Sequence, residues 1–339
     1  MEDIARFIPD AQKPIPSVKP NLPKGLYLAV EFNPKNYHST ASQKPGRVAF
    51  VDGGNAELVK APNFSVHLIR VVGVVFEGLK RKVIKKYEFR CGVRTIGETS
   101  LKYQAKIFPL SKVPELGVLE FDSYDKTLML GNNRVSISRI GGLVRRLCEL
   151  TIAKLLTQEY SPELLVLDGN LEASRTYEQE HLAEVYSTAR NHSTMVCGLA
   201  KTSTMLMDGG EPMLGFIKRH GPRDESWWYH PIAISHTPKH LAEICVVKLH
   251  PKSRYAFRLD INPPNLQPGV IDKVVAWLCG FSVDVASLGY PYGLVFADKI
   301  ARISKQESSL VKSQFLLGMP KSLLEFTFAS DFHDHLNRV

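Results

Sequence analysis

Two short hydrophobic runs in this chain each end on Asp-Gly: Arg47-Val-Ala-Phe-Val-Asp52-Gly53-Gly54 and Leu164-Leu-Val-Leu-Asp168-Gly169. Runs of Val, Leu and Phe bounded by glycine read as buried strands, and the glycine lets the backbone turn sharply after the acid. The spacing therefore places two carboxylates at strand ends. Parallel strands delivering both acids to one rim would suit a hard cation such as Mg²⁺ or Mn²⁺, or phosphate chemistry around it. Asp-Gly is also a common turn dipeptide, which is the plainer account of either copy alone.

Hydrolysis at a pair of cations needs further acids. Glu149 lies in the predicted helix just before the second strand, at the margin of its apolar face, although Arg145 four residues earlier offers an ordinary surface pair. Glu159 is a nearby rival. Asp298, four residues after Leu294 in a late helix, is a fourth acid and reads as readily as a surface residue. Lys201-Thr202-Ser203 follows the apolar run Met195–Ala200 and would bring one cation and two hydroxyls to a phosphate. The same tripeptide also reads as a strand end closed by a hydroxyl turn. Arg258 and Asp260 alternate with Leu259 and share one strand face, as a salt-bridged edge would; Arg258 is a further candidate for holding substrate. Asp331-Phe-His333-Asp-His335 has the composition of a metal cluster but reads better as a solvated helix end. No P-loop, dinucleotide-binding turn, nucleophile elbow or H-E-x-x-H motif is present.

These residues need a scaffold. From Val48 the pattern predicts strands to Val51, over Phe64–Phe76 and over Tyr87–Val93, with Lys80-Arg81-Lys82 and Lys85-Lys86 bracketing the hairpin turn between the last two. A short hairpin near Gly117–Leu130 follows. A helix then opens at Ser136 or Ser138 as N-cap, carries Leu143, Val144, Leu147, Ile152 and Leu156 at helical spacing, and stops at Ser161-Pro162. After the second Asp-Gly strand come a helix over Tyr177–Arg190 and the strand Met195–Ala200. An antiparallel front followed by strand, helix, strand is the order of a ribonuclease H-like α/β fold, a mixed sheet with flanking helices that sets acids from its first and a later parallel strand side by side. Strands at Ile244–Leu249 and Tyr255–Ile261, a helix over Val270–Leu278 and a last helix near Leu294–Ile303 complete the pattern. Residues 1–45 form a Pro-rich N-terminal arm of extended segments and turns that suits contacts between subunits. Residues 46–304 form the nuclease-like domain, and 305–339 a C-terminal tail, with the apolar stretch Leu323–Phe328, packing on it.

At 339 residues, 44% hydrophobic and 23% charged, the chain has the composition of an ordinary soluble protein. Its net charge of +9 favours a polyanionic partner. The five cysteines are scattered with no CxxC pair, which argues for buried thiols rather than zinc. No apolar stretch approaches the roughly 20 residues that cross a bilayer, and the first residues lack a basic and then apolar leader. A cytoplasmic protein without membrane contact is expected.

Val-Asp52-Gly-Gly, Glu149 ahead of Val-Leu-Asp168-Gly-Asn-Leu, Gly-Leu-Ala-Lys201-Thr-Ser and Gly289-Tyr290-Pro-Tyr-Gly-Leu-Val-Phe-Ala-Asp298 together resemble the NurA nuclease family, in order and spacing, from about Val48 to Ile303. The resemblance implies a ribonuclease H-like core, a homodimer, and Mn²⁺-dependent DNA cleavage as a 5′–3′ exonuclease and endonuclease. It also implies work in DNA end resection and double-strand break repair with HerA, a hexameric DNA-translocating ATPase. By the same resemblance Asp52, Glu149, Asp168 and Asp298 fall on metal-binding positions of a two-metal site, with Mg²⁺ as a possible substitute, and Tyr290 on the family's site tyrosine. Asp298 stands where some members have His. Lys201 and Ser203 would then steady the phosphate. Two other readings compete: a DNA-binding adaptor of the translocase without activity of its own, and an ATP-dependent enzyme of the actin and sugar-kinase kind.

Overall fold

The computed structural model describes residues 18–97, 100–110, 117–262 and 269–320; the acid and histidine cluster at 331–335 and the stretch Leu323–Phe328 lie outside them. Eleven strands form one mixed sheet. In chain order these are β1 (Tyr37–Thr40), β2 (Arg47–Lys60), β3 (Phe64–Glu77), β4 (Lys80–Gly97), β5 (Leu101–Pro109), β6 (Val118–Asp122), β7 (Leu164–Asp168), β8 (Met195–Ala200), β9 (Ser226–Tyr229), β10 (Glu243–Lys248) and β11 (Phe257–Asn262). They lie side by side as β1-β9-β10-β11-β8-β7-β2-β3-β4-β5-β6. The pairs β2–β7 and β7–β8 are parallel and the others antiparallel.

The centre of this sheet is ribonuclease H-like. Taken as units one to five, β2, β3, β4, β7 and β8 stand in the order three-two-one-four-five with the second reversed. Helix α1 (Ser138–Tyr160) makes the crossover from the antiparallel front to β7, and α2 (Glu178–Asn191) the one from β7 to β8. Both cover one face: Ile140, Leu143, Val144, Leu147 and Leu150 of α1 lie in one buried cluster with Ala49, Val51, Ile69 and Leu167. On the opposite face α4 (Val270–Phe281) and α5 (Tyr292–Ala301) bury Val274, Leu278, Leu294 and Ala297 against Val48, Phe50, Val74 and Val166. Burial on both faces explains why β7 and β8 read as unbroken apolar runs rather than alternating ones.

Several elements differ from expectation. β2 does not end at Asp52-Gly53 but continues to Lys60, paired with β3 throughout. β3 turns at Gly78-Leu79, so the basic residues from Lys80 to Lys86 lie in β4 rather than around a turn, and β5 was not foreseen. The front hairpins are thus longer than their apolar runs, because cross-strand pairing extends through polar residues. Helix α1 starts at Ser138 without a side-chain cap, and Ser161, with φ 42, ends it in the left-handed region. Strand β9, α3 (Met213–His220) and α6 (Lys305–Leu317) are additional. Helix α6 packs Val311, Phe315 and Leu316 on Leu58, Val59 and Leu68. From the Pro-rich segment, β1 supplies an edge strand of the main sheet, and Phe32 and Tyr37 join Trp227 and Tyr229 in a separate aromatic cluster. All five cysteines are buried free thiols, as the spacing predicts. Among the described residues no helix is long and apolar enough to cross a membrane.

Candidate active site

Register brings the two acids together. In the parallel pair, Leu167 of β7 lies opposite Val51 of β2, and β7 ends one residue later, so Asp168 stands beside Asp52. Asp52 is therefore in mid-strand, next to the point where its neighbour stops. Both acids share the parity of Phe50 and Val166, and so face the side covered by α4 and α5. Lys201 follows β8 directly and reaches Asp168, with Nζ 3.2 Å from Oδ2, and lies 3.9 Å from Oδ1 of Asp298. The Tyr290 hydroxyl donates to Asp168 Oδ1 at 3.1 Å.

Glu149 arrives from the opposite face of the sheet. A side chain on Gly53 would block it, since a Cβ there would stand 2.6 Å from Glu149 Oε1. The glycine after Asp52 thus serves less as a turn residue than as the gap through which Glu149 approaches. Glu149 is 3% exposed, so it is not the solvent-facing surface acid that sequence allowed. Arg145 hydrogen-bonds its Oε1, and Arg146 NH1 lies 3.3 Å from its Oε2. Arg146 is itself buried, donates to Glu178 at 2.9 Å and reaches the carbonyls of Asp168 and Asn170 at 3.3 and 3.2 Å. One guanidinium thus ties together the helix bearing Glu149, the end of β7 and the loop after it. The rival Glu159 pairs with Lys85 at 3.2 Å on the exposed side and takes no part.

The charges are held under tension. Burial, then the carboxylates of Asp168 and Glu149, push the Asp52 carboxyl up to about 7. Burial also raises Glu149 above the usual carboxylate range, although Arg145 and Arg146 pull it back. Burial works against the Lys201 ammonium, but Asp168 and Asp52 outweigh it and hold the group above its ordinary value. Burial and then the charge of Asp168 raise the Tyr290 hydroxyl, which stays protonated as a donor.

Three sequence candidates fall elsewhere. Ser203 Oγ accepts from the Met205 amide at 3.3 Å, so it caps its own turn. Arg258 and Asp260 do not form an exposed edge: they are buried in β11, which lies inside the sheet, with Arg258 Nε 2.7 Å from Asp260 Oδ1. His240 Nε2 and the Leu171 amide complete the shell of Asp260 at 3.0 Å each. Arg258 is thus spent on a buried pair that anchors the loop after Asp168, rather than presented to a substrate. Asp298 is intermediate, with Oδ2 2.7 Å from Arg302. The role of Arg146 was not read from sequence; its signal was an Arg three residues before Glu149 on a helix with an apolar stripe.

The NurA domain model matches residues 46–303. The chain belongs to the NurA family. No curated protein matches the sequence. Of solved structures, the catalytic domain of human endonuclease V is 15% identical, with a TM-score of 0.39 over 94% of this chain and 99% of that one. A second human endonuclease V structure gives 14% and 0.37, over 79% and 92%. Argonaute from A. aeolicus gives 8% and 0.35, over 77% of this chain and 29% of that chain. The fold assignment rests on the strand order described above, and the nuclease class on NurA membership.

Asp52 and Asp168 are oxygen donors of the kind a divalent cation takes. Asp52 Oδ1 accepts from the Gly53 amide at 2.7 Å, while its buried Oδ2 has no hydrogen-bond partner among the described residues. An orphaned carboxylate oxygen beside two further acids is costly unless a cation completes it. Among the described residues no three such side chains stand close enough to enclose an ion as they are. Glu149 is engaged by its two arginines and Asp298 by Arg302, so these would have to exchange partners to join a cation shell.

Proposed function

We propose that this NurA protein is a Mn²⁺-dependent deoxyribonuclease that hydrolyses phosphodiesters in single-stranded DNA and at DNA ends. The single observation that carries this reading is the buried, half-satisfied Asp52 carboxylate next to Asp168, with a lysine on the same face. Asp52 and Asp168 would hold the cation, Mn²⁺ or Mg²⁺, with Glu149 and Asp298 as outer candidates. When bound, such an ion supplies Lewis-acid stabilisation of charge on the phosphate oxygens and lowers the pKa of water.

The chain's own groups do the rest. Lys201 is a cation at the mouth of the site, able to turn from Asp168 to a phosphate oxygen and offset the charge that develops in the transition state. Tyr290, kept protonated, fixes the rotamer of Asp168 and walls the site with its ring. Arg146 holds Glu149 and the backbone of Asp168 in one frame, the preorganisation that positional catalysis requires. Net charge of +9 supports sequence-independent attraction to DNA, with affinity falling steeply as salt rises. A homodimer, and a HerA-type hexameric ATPase feeding DNA ends into the site during resection and break repair, complete the proposal.

The test is cleavage of end-labelled single- and double-stranded DNA with Mn²⁺, with and without the ATPase. Asp52→Ala and Asp168→Ala should each abolish cleavage and weaken Mn²⁺ binding measured by calorimetry, while retaining the circular dichroism of the wild type. Undiminished cleavage by either variant overturns the site.

A further inference from the structure

A second concavity shares Tyr290 with the acidic site. It measures about 350 Å³ and lies between the β10–β11 connection and the turn before α5, walled by Phe257, Leu288 and Tyr290. The approach of these two segments depends on Gly289: its φ of 87 is left-handed, and a Cβ there would collide with Ser253 Oγ. Ser253 in turn holds its own loop, accepting from the Tyr255 amide at 3.1 Å.

The lining has the chemistry of a nucleotide. Tyr255 is 66% exposed at the mouth, with the Phe257 ring centroid 6.4 Å from its own. Lys252 and Arg254 flank it, and neither forms an ion pair with a carboxylate among the described residues. Ser287 also lines the wall, although its hydroxyl is buried beneath the surface and has no hydrogen-bond partner among the described residues. The pocket also lies on the rim that bears the acids. Asp168 lies opposite Leu199, and Leu199 opposite Leu259 of β11, so the start of β11 is two strand spacings, about 10 Å, from β7.

We propose that this pocket binds a nucleotide of the DNA strand next to the scissile phosphate, stacking its base on Tyr255 and pairing its phosphate with Lys252 and Arg254. The inference rests on the nuclease reading and adds to it a subsite that grips a single unpaired strand.

The test measures binding of a short fluorescent thymidine oligonucleotide in chelator, together with Mn²⁺-dependent cleavage of the same oligonucleotide. Tyr255→Ala should weaken binding about tenfold with little change in salt dependence, and Tyr255→Phe should restore it. Lys252→Ala with Arg254→Ala should lower the slope of log affinity against log salt by about one to two. A wild type that binds and cleaves while Tyr255→Ala and the double variant bind as it does overturns the subsite alone. A wild type that neither binds nor cleaves overturns the nuclease reading and the subsite with it.

Discussion

The Tyr290 hydroxyl and Asp168 Oδ1 lie 3.1 Å apart across 122 residues of chain. Asp168 thereby receives one neutral and one charged donor, since Lys201 Nζ approaches its other oxygen at 3.2 Å and also lies 5.7 Å from the centre of the Tyr290 ring. The tyrosine ring meets Phe257 edge to face at 5.3 Å, so its position is set by packing as well as by the acid.

Tyr290→Phe keeps that packing and removes the donor. Loss of the donor that orients Asp168 should lower cleavage about tenfold to a hundredfold. Hydrogen bonds to charged groups contribute about 1.5–3 kcal/mol to the folded state, so the melting temperature should fall as well. Single-turnover cleavage rates and a melting curve check both parts.

Asp52→Asn should separate stability from activity. The native carboxylate is buried against two like charges, so its neutral isostere should stabilise the metal-free fold by about 1–2 kcal/mol while abolishing cleavage. Mn²⁺ should raise the melting temperature of the wild type, because it binds only the folded chain, and should no longer do so in the variant. Calorimetric scans with and without the ion decide this.

Lys201 and Ser203, two residues apart in sequence, should behave differently. Lys201→Ala removes the cation from Asp168 and from an arriving phosphate, and should cost about a hundredfold in kcat/KM. Ser203→Ala removes only a turn-closing hydroxyl and should leave cleavage within about twofold, at a cost of about 1 kcal/mol of stability. Steady-state kinetics beside denaturant melts distinguish the two.

The Arg258–Asp260–His240 network should govern the acid limb of stability. Burial alone would raise Asp260, but the hydrogen bond from His240 and the charge of Arg258 hold its carboxyl below the usual range. A depressed folded value means the folded state binds fewer protons, so the contribution is whole above the unfolded value near 3.9 and is lost as pH falls through the folded one. Asp260→Asn should cost about 3 kcal/mol at pH 7, because the buried Arg258 is left with only Glu172, at 3.9 Å, as a carboxylate partner, and should flatten the loss below about pH 4. Urea melts across that window test the sign.

Much of the centre was legible because its determinants are local. The apolar runs of β7 and β8, the helical spacing of α1 and α2, and the acids closing two of the runs point to a ribonuclease H-like order without any knowledge of contacts. The long front strands were less legible, since residues such as Lys80–Lys86 and Leu101–Pro109 are strand only because a neighbouring strand pairs with them. Pairing is a property of the partner as much as of the segment.

Residue types and local pattern alone single out Asp52, Asp168, Lys201 and Tyr290 as candidates for this chemistry. Register and packing set how they stand to one another. Parallel register, not a strand end, puts Asp52 beside Asp168, and the missing side chain of Gly53 admits Glu149 from the far face. Burial turned Arg258 from a substrate candidate into half of an interior ion pair, and an unfilled turn turned Ser203 into its cap. Charge and hydrogen-bonding capacity belong to the residue, but whether a partner or water satisfies them depends on what the fold packs alongside.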